Sequence, residues 1–332
     1  MLLGLFAPVE ILWELVGAIG AIAEITEDEL NEARGQLDSL YLIQPIDEDE
    51  GCDFYKIHAL VREFFRAKLL KDEENHQFRQ AFVTSLLAIA KQIPSSPTLD
   101  LIARVAPAIP HLDMLSREML DDIPNPEEDL SWAFEGIARF YYGQGLYALA
   151  EDPWQRRLMS ARKVFGDRHP SVATSLNNLA ALYYSQGRYE EAEPLLQQAL
   201  ALSQELLGDD RHPKVASSLN NLAALYYSQG RYEAAEPFYQ QALALRQELL
   251  GDRHPRVADS LKDLALLYES QGRYEAAEPL YQGALAILML TVGENHPYQQ
   301  FQIQNRNKEY IILKVKLTRI CKHRSISKHK FN

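Results

Sequence analysis

Apolar residues between His169 and Asn295 recur with the spacing of paired helices, in three copies of one unit. In the first copy they fall at i, i+3, i+4 and i+7, which is one stripe of a helix: Leu176, Leu179, Ala180 and Tyr183. Gly187 follows, and glycine supplies the left-handed conformation that commonly ends a helix. A second stripe then runs through Tyr189, Ala192, Leu196, Ala199 and Leu200. Each unit is therefore predicted to be a helical hairpin.

The period of the unit is marked by its first residue. His169, His212, His254 and His296 are spaced by 43, 42 and 42 residues. A fixed period in this range is typical of a solenoid of stacked units, none of which buries its apolar face alone. Solenoids mostly present surface to other macromolecules, so the repeat favours a binding function over catalysis.

The order of large, small and aromatic positions in the unit is similar to the tetratricopeptide repeat. The 42-residue form resembles the kinesin-light-chain subfamily and covers residues 169–297 closely. Residues 131–168 resemble a decayed preceding repeat, in which Arg157 lies where a small residue belongs. The resemblance implies an all-α fold, a right-handed tetratricopeptide helical-hairpin solenoid over 131–297 with one degenerate and three full repeats. It also implies a function in protein–protein interaction.

The polar and apolar pattern ahead of the repeats is different and predicts a winged-helix-like domain over residues 1–71. A helix is expected to begin after Pro8, and Thr26 and Glu29 form a capping box that opens a second helix. Residues 41–46 and 53–58 then alternate as a small β-hairpin around an acidic turn, and a third helix follows.

This segment resembles the winged-helix part of NB-ARC-type (STAND) signalling ATPases over roughly residues 4–70. A Met-His-Asp-like motif closes that part, and its His contacts the ADP phosphate; the matching positions here are Ile57, His58 and Ala59, so only the His is kept. The chain has no G-x-x-x-x-G-K-[ST] loop to hold phosphates. The resemblance thus implies the C-terminal sensor arm, or a remnant, of a multidomain ATPase whose nucleotide-binding module is missing from this chain. His58 binds a nucleotide only if that core is supplied; otherwise it is a structural residue at a helix start.

Two further segments complete the predicted organisation. Residues 72–130 form a helical connector, bent at Pro107 and Pro110, with an acidic linker from Asp121 to Asp129. Residues 298–332 form a basic tail, with nine bases and one acid from Asn305 onward. Such a tail suits nucleic acid, an anionic membrane or the acidic body of the chain itself, but the abrupt end of the repeat pattern favours a degenerate terminus.

Charge and cysteine usage exclude several classes of function. The net charge of the 332 residues is −12, and Thr26 to Tyr55 carry ten acids against one base, so DNA phosphates would be repelled. Cys52 and Cys321 lie far apart, which favours a reducing cytoplasm. The first 25 residues contain Glu10, Glu14 and Glu24, so neither a signal peptide nor a membrane span is expected. The expected localisation is cytoplasmic, with no nucleic-acid or membrane partner.

No catalytic constellation emerges from the sequence, so the chain is predicted not to be an enzyme, and no cofactor is expected. The four repeat-start histidines do not predict a metal site either. Each heads its own unit, and stacked units lie about 10 Å apart, whereas shared metal ligation needs distances of ~2 Å. These histidines are predicted to be turn residues.

Function is therefore assigned to the concave face, which the first helices line. The predicted peptide-binding groove consists of Asn177, Asn178, Tyr184, Asn220, Asn221, Tyr227, Lys262 and Glu269, with Ala181, Ala224, Asp263 and Leu266 among them. Asparagine donates and accepts hydrogen bonds, and tyrosine adds apolar area with a polar tip. The alternative for the four asparagines is that they only tie neighbouring helices together.

The identity of the partner is constrained by what the groove lacks. Of the two-carboxylate clamp that chaperone-binding tetratricopeptide proteins use, only Asn221 and Lys262 match, so an acidic chaperone tail is disfavoured. The alternative to a signalling sensor arm is a free-standing kinesin-light-chain-like cargo or scaffold adaptor. Such adaptors carry a heptad coiled coil ahead of the repeats, where this chain has the winged-helix-like segment.

Overall fold

The computed structural model describes residues 2–7, 9–46, 54–71, 76–207 and 212–292. Most of the predicted acidic turn and the whole predicted basic tail, residues 298–332, lie outside the described residues. The chain divides into two compact units, Met1–Gly166 and Asp167–Asn332. The predicted all-α class is confirmed, with one small sheet near the N-terminus.

The first unit begins with helices and a small antiparallel sheet. In chain order, a 3-10 turn (Leu2–Leu5) is followed by β1 (Ile11–Leu12), α1 (Trp13–Ile22), α2 (Glu27–Ser39), β2 (Ile43–Pro45), β3 (Phe54–Ile57) and α3 (Ala59–Lys71). The predicted capping box is confirmed, because the Thr26 hydroxyl accepts from the Glu29 amide and Glu29 accepts from the Thr26 amide. The helix α2 begins at Glu27, one residue after the cap Thr26.

The sheet is larger than the predicted hairpin. Its strand order is β1-β3-β2, with Ile11 opposite Tyr55 and Ile43 opposite Ile57. The predicted helix after Pro8 is wrong at its start, because Ile11 and Leu12 are extended against β3 and α1 begins only at Trp13. A two-residue strand depends on its distant partner and has no period of its own, so the local pattern could not separate it from the helix.

The described residues of the region predicted as connector contain four α-helices: α4 (His76–Gln92), α5 (Leu99–Val105), α6 (Ile109–Glu118) and α7 (Pro126–Asp129). The bend predicted at the prolines is a 3-10 turn, Ala106–Ala108, between α5 and α6. In the acidic segment, Asp122 pairs with Arg79 at 3.3 Å and Asp129 pairs with Lys91 at 2.6 Å. Arg79 and Lys91 both lie on α4. The acidic segment is therefore packed against a helix inside the first unit.

The first unit ends with the hairpin α8 (Trp132–Gly143) and α9 (Tyr147–Phe165). Arg157, the residue that departs from the repeat pattern, is buried on α9 with 5% of its surface exposed. Its Nη2 lies 3.5 Å from Glu135 Oε2, and its guanidinium lies over the Trp154 ring. Desolvation lowers the pKa of Arg157, and the Glu135 carboxylate opposes this change. A charged pair thus lies inside this hairpin, at the position where the other hairpins carry a buried alanine: Ala199, Ala242 or Ala284.

The described residues of the second unit form three hairpins with closely matching bounds: α10 (Pro170–Ser185) with α11 (Tyr189–Leu207), α12 (Pro213–Ser228) with α13 (Tyr232–Leu250), and α14 (Pro255–Ser270) with α15 (Tyr274–Val292). Gly187, Gly230 and Gly272 end the first helices with positive φ angles of 74°, 74° and 73°. Ala192, Ala235 and Ala277 have no exposed surface, so the paired helices approach closely there.

The repeat-start histidines cap the first helices. Nδ1 of His169, His212 and His254 accepts the backbone N–H two residues on, at 3.2, 3.1 and 3.1 Å. Proline follows each of them at the first helical position, where its missing N–H costs least. The predicted role of these three histidines as turn residues is confirmed, and His296 lies outside the described residues.

Candidate peptide-binding groove

The predicted groove residues lie on the three first helices of the second unit, α10, α12 and α14. Asn177 on α10 uses its amide to join α12: Nδ2 donates to the Ser218 hydroxyl at 2.9 Å, and Oδ1 accepts from Asn221 at 3.4 Å. The same Nδ2 also lies 3.2 Å from the Ala173 carbonyl one turn back. Asn177 therefore connects two neighbouring repeats.

The next pair of repeats is joined in the equivalent way. Asn220 Nδ2 on α12 donates to Asp263 Oδ2 on α14 at 3.2 Å. Burial is the largest influence on Asp263 and raises the pKa of its carboxyl, while the bond from Asn220 opposes this rise. Asn177 and Asn220 thus tie helices together, as the structural alternative for them requires.

The two groove tyrosines also span the junctions between repeats. The Tyr184 hydroxyl lies 2.7 Å from Ser228 Oγ, and the Tyr227 hydroxyl lies 2.8 Å from Ser270 Oγ. Tyr184 packs against Tyr189 of its own hairpin with ring centroids 5.6 Å apart, yet 36% of its surface remains exposed. Each tyrosine is held by a hydrogen bond at its hydroxyl and by a ring contact within its own hairpin. Its ring still offers apolar area to a ligand.

The third repeat carries charge where the first two carry amides and phenols. Lys262 Nζ lies 3.8 Å from Asp259 Oδ1, and Glu269 accepts the Tyr281 hydroxyl at 2.7 Å. Burial raises the pKa of the Tyr281 phenol, and its bond to Glu269 raises it further. The groove therefore changes from neutral to charged between α12 and α14.

Six uncharged residues of α10 and α12 form a surface that we term the first-helix face: Asn178, Ala181, Tyr184, Asn221, Ala224 and Tyr227. Ala181, Tyr184 and Asn221 are exposed, whereas Asn178, Ala224 and Tyr227 are half-buried. A cavity of about 100 Å³ opens here at the junction of the first two hairpins. It is lined by Ala180, Ala181, Tyr184, Leu196, Asn221 and Ala224.

The repeats also share a contact between glutamate, tyrosine and arginine side chains, and the predicted groove does not include these residues. Glu193 accepts from Tyr226 at 3.0 Å and from Arg231 at 2.9 Å, and Arg231 lies over the Tyr226 ring, 4.1 Å from its centroid. The signal for this set is in the sequence, since glutamate, tyrosine and arginine recur at the same positions of successive units.

His58 lies outside the repeats, at the start of α3. Its Nδ1 accepts the Leu60 amide at 3.3 Å, and the residue is exposed. His58 thus makes the same kind of contact as the repeat-start histidines. Among the described residues, no group of three or more His, Cys, Asp or Glu side chains is placed to hold a metal ion. Within that same part of the chain, every helix is too short or too polar to cross a membrane.

Comparison with known proteins agrees with this architecture. The tetratricopeptide-repeat family model matches residues 129–205 and 214–289. These segments are tetratricopeptide repeats. No curated protein matches the chain.

Two solved structures extend the comparison to the fold. BtubC (BKLC) from P. vanneervenii is 24% identical with a TM-score of 0.53, over 70% of this chain and 93% of that one. A variant of a putative kinesin light chain from Podosopora anserina, with nearly identical TPR-like repeats, is 23% identical with a TM-score of 0.51. That match covers 64% of this chain and 97% of the other. At these identities the likeness shows a shared fold, that of kinesin-light-chain-like repeat proteins.

Proposed function

We propose that the second unit binds an extended peptide segment of a partner protein on its first-helix face. The observation that carries this proposal is an uncharged surface shared by α10 and α12, with a cavity of about 100 Å³ at its centre. Tetratricopeptide repeats generally mediate protein–protein interaction, and this surface offers the chemistry that a peptide needs. Its amides pair with a peptide backbone, and its phenol rings cover apolar side chains.

The contacts between repeats support a preformed surface. Asn177 and Asn220 hold the first helices together, while Asn178 and Asn221 remain accessible to a ligand. A surface that is already ordered loses less conformational entropy on binding, so more of the contact energy appears as affinity. Among the predicted groove residues, Asn177 and Asn220 thus shape the surface, and Asn178, Tyr184, Asn221 and Tyr227 are proposed to contact the peptide. Lys262 and Glu269 lie on α14, outside the first-helix face.

A matched pair of arginine variants tests this proposal. Ala181 and Ala201 are exposed alanines on opposite helices of the first hairpin, and only Ala181 lies on the first-helix face. A peptide-display library is selected on the full chain, and the selected peptides are titrated by calorimetry. We expect Ala181→Arg to weaken binding at least tenfold and Ala201→Arg to leave it unchanged. Selected peptides that bind both variants equally well would contradict a groove on this face.

The finer proposal is that the chain acts as the sensor arm of a STAND-type signalling ATPase in the cytoplasm. Its support is the resemblance of the N-terminal segment together with an exposed apolar stripe on α3. Leu60 and Phe64 lie one turn apart there with 75% and 62% of their surfaces exposed. A large contiguous exposed apolar surface marks a contact site for another protein, and we propose that Leu60 and Phe64 belong to such a surface.

The alternative is a cargo or scaffold adaptor, supported by the kinesin-light-chain-like fold. The two functions differ in what the α3 stripe contacts. A photo-crosslinking amino acid at Phe64 of the full chain in cells would capture a nucleotide-binding domain under the first proposal. Capture of a motor subunit at the repeats, with no product at Phe64, would favour the adaptor.

A further inference from the structure

The cavity on the first-helix face has an apolar interior and a polar rim. Ala180, Ala181, Ala224 and Leu196 supply aliphatic carbon to it. The Asn221 amide and the Tyr184 ring complete its lining, and the described lining contains no charged side chain. A space of this kind excludes a charged group, because an unpaired charge loses its hydration on entry.

The equivalent residues at the next junction are larger or charged. Leu196 corresponds to Tyr239, Ala224 to Leu266 and Asn221 to Asp263, one repeat along the chain. Tyr239 has only 4% of its surface exposed, so its ring occupies the interior of that hairpin. Small residues at the first junction therefore leave space where the next repeat places side-chain volume.

The size of the cavity selects among apolar groups. An apolar cavity of about 150 Å³ in another protein stays dry and accepts benzene. The cavity here, at about 100 Å³, is smaller and suits a branched aliphatic chain better than an aromatic ring. The separation of α10 and α12 sets the width of the cavity. That separation is held by the hydrogen bond from Asn177 to Ser218, and neither residue lines the cavity.

We propose that this cavity is the anchor subsite of the groove and takes one aliphatic side chain, of the leucine, isoleucine or valine class, from the bound peptide. The proposal rests on the proposed peptide-binding function and adds the chemistry of the residue that the groove selects. Asn221 stands at the rim, exposed and only weakly bonded to Asn177 at 3.4 Å, so its amide pairs with the backbone of the anchoring residue. Lysine, aspartate and glycine fail at this position, the first two by charge and the third by leaving the cavity empty.

The subsite is tested with a single-residue probe that carries both a side chain and a backbone. N-acetyl-leucine N-methylamide is titrated into the isotope-labelled full chain and followed by NMR, beside the glycine and lysine analogues. The leucine compound is expected to shift the Asn221 side-chain amide and to give intermolecular methyl contacts to Ala181 and Ala224. Equal shifts from the lysine compound, or methyl contacts elsewhere on the chain, would overturn the anchor.

A variant taken from the chain's own third repeat blocks the subsite. Ala224→Leu introduces the residue that stands at position 266, and we expect it to weaken the leucine probe at least tenfold. Ala201→Leu, an exposed alanine on α11, is the matched control and should leave the probe unaffected. The intermolecular methyl contacts in the unsubstituted chain decide the matter even where Ala224→Leu lowers the melting temperature.

The two proposals fail in different ways. Selected peptides that lose affinity with Ala181→Arg but not with Ala224→Leu would retain the groove and refute the anchor. A leucine probe that binds at the cavity, in a chain that selects no peptide, would support the subsite and refute the peptide-binding function.

Discussion

Tyr226 donates its hydroxyl to Oε1 of Glu193 over 3.0 Å, and this bond joins the second helix of one repeat to the first helix of the next. Arg231 also donates a hydrogen bond to Glu193, and its guanidinium lies over the Tyr226 ring. Glu236, Tyr268 and Arg273 repeat the arrangement one unit later, with distances of 3.0 Å for the tyrosine and 2.7 Å for the arginine. Because stability in a solenoid is close to a sum of repeat and interface contributions, this triad strengthens both of these interfaces within the second unit.

A double-mutant cycle measures that contribution. Tyr226→Phe and Glu193→Ala should each lower the free energy of unfolding by about 1 kcal/mol, since a hydrogen bond to a partly exposed charged group has this size. The double variant should lose less than the sum of the two, with a coupling energy of roughly 0.5–1.5 kcal/mol. Urea unfolding followed by far-UV circular dichroism gives the values. The control pair is Tyr226→Phe with Glu190→Ala, an exposed residue on the same helix, and its effects should add; equal coupling in both cycles would contradict a specific bond.

The histidine caps give a second prediction. His212→Ala should destabilise the chain by about 1 kcal/mol, because the Lys214 amide loses its acceptor at the start of α12. His212→Asn should restore most of the loss, since asparagine is a strong N-cap residue. Hydrogen exchange of the Lys214 amide provides a local readout. Its rate should rise in His212→Ala but not in His212→Asn. A loss of stability that asparagine does not recover would assign His212 a role other than capping.

The repeats could be predicted from the sequence because the residue spacing that indicates them is local and occurs three times. The spacing of Leu176, Leu179 and Tyr183 indicates a helix, and Gly187 ends it without reference to any distant residue. The strand Ile11–Leu12 could not be found in this way, since its conformation depends on Tyr55, more than forty residues away. The burial of Arg157 was equally beyond the local pattern, because it requires Glu135 on the neighbouring helix.

The groove was predictable only as a row of positions. The repeat register places Asn177 and Asn178 side by side on α10, but it does not say which amide turns toward the next helix. In the structure Asn177 reaches Ser218, and this contact exists because serine, a small residue with a hydroxyl, lies at the right turn of α12. The anchor cavity depends on a further difference between repeats, Leu196 against Tyr239, whose effect on volume appears only when the hairpins are stacked.

Close packing in the first unit gives a third prediction. A Cβ added at Gly136 on α8 would lie 2.6 Å from Ala90 Cβ and 2.9 Å from Ala90 Cα on α4, so a backbone must move. We expect Gly136→Ala to cost about 1–3 kcal/mol by overpacking. Gly35→Ala is the control: its Cβ meets nothing within 4 Å in the helix α2, and it should stabilise by about 0.5–1 kcal/mol. Trp13, Trp132 and Trp154 all lie in this unit, so tryptophan fluorescence during urea unfolding reports it, and equal effects of the two variants would exclude the close approach.

The last prediction concerns pH and the buried His111. This side chain has no exposed surface, and its Nδ1 accepts the Ala7 amide at 3.0 Å beside the Phe6 ring. Burial lowers the pKa of His111 from 6.5 to about 4. In the unfolded chain the imidazole takes up a proton below pH 6.5, whereas in the folded chain it stays neutral until about pH 4.

The sign of the effect follows from that difference. The stability associated with neutral His111 is fully present above pH 6.5 and declines as the pH falls toward 4, by a total on the order of 3 kcal/mol. His111→Asn keeps an acceptor for the Ala7 amide but does not titrate. We therefore expect the free energy of unfolding of the first unit, followed by tryptophan fluorescence, to fall between pH 7 and 4.5 more steeply in the unsubstituted chain than in the variant. Because the carboxylates contribute equally to both chains, identical slopes would show that His111 is not held neutral in the folded state.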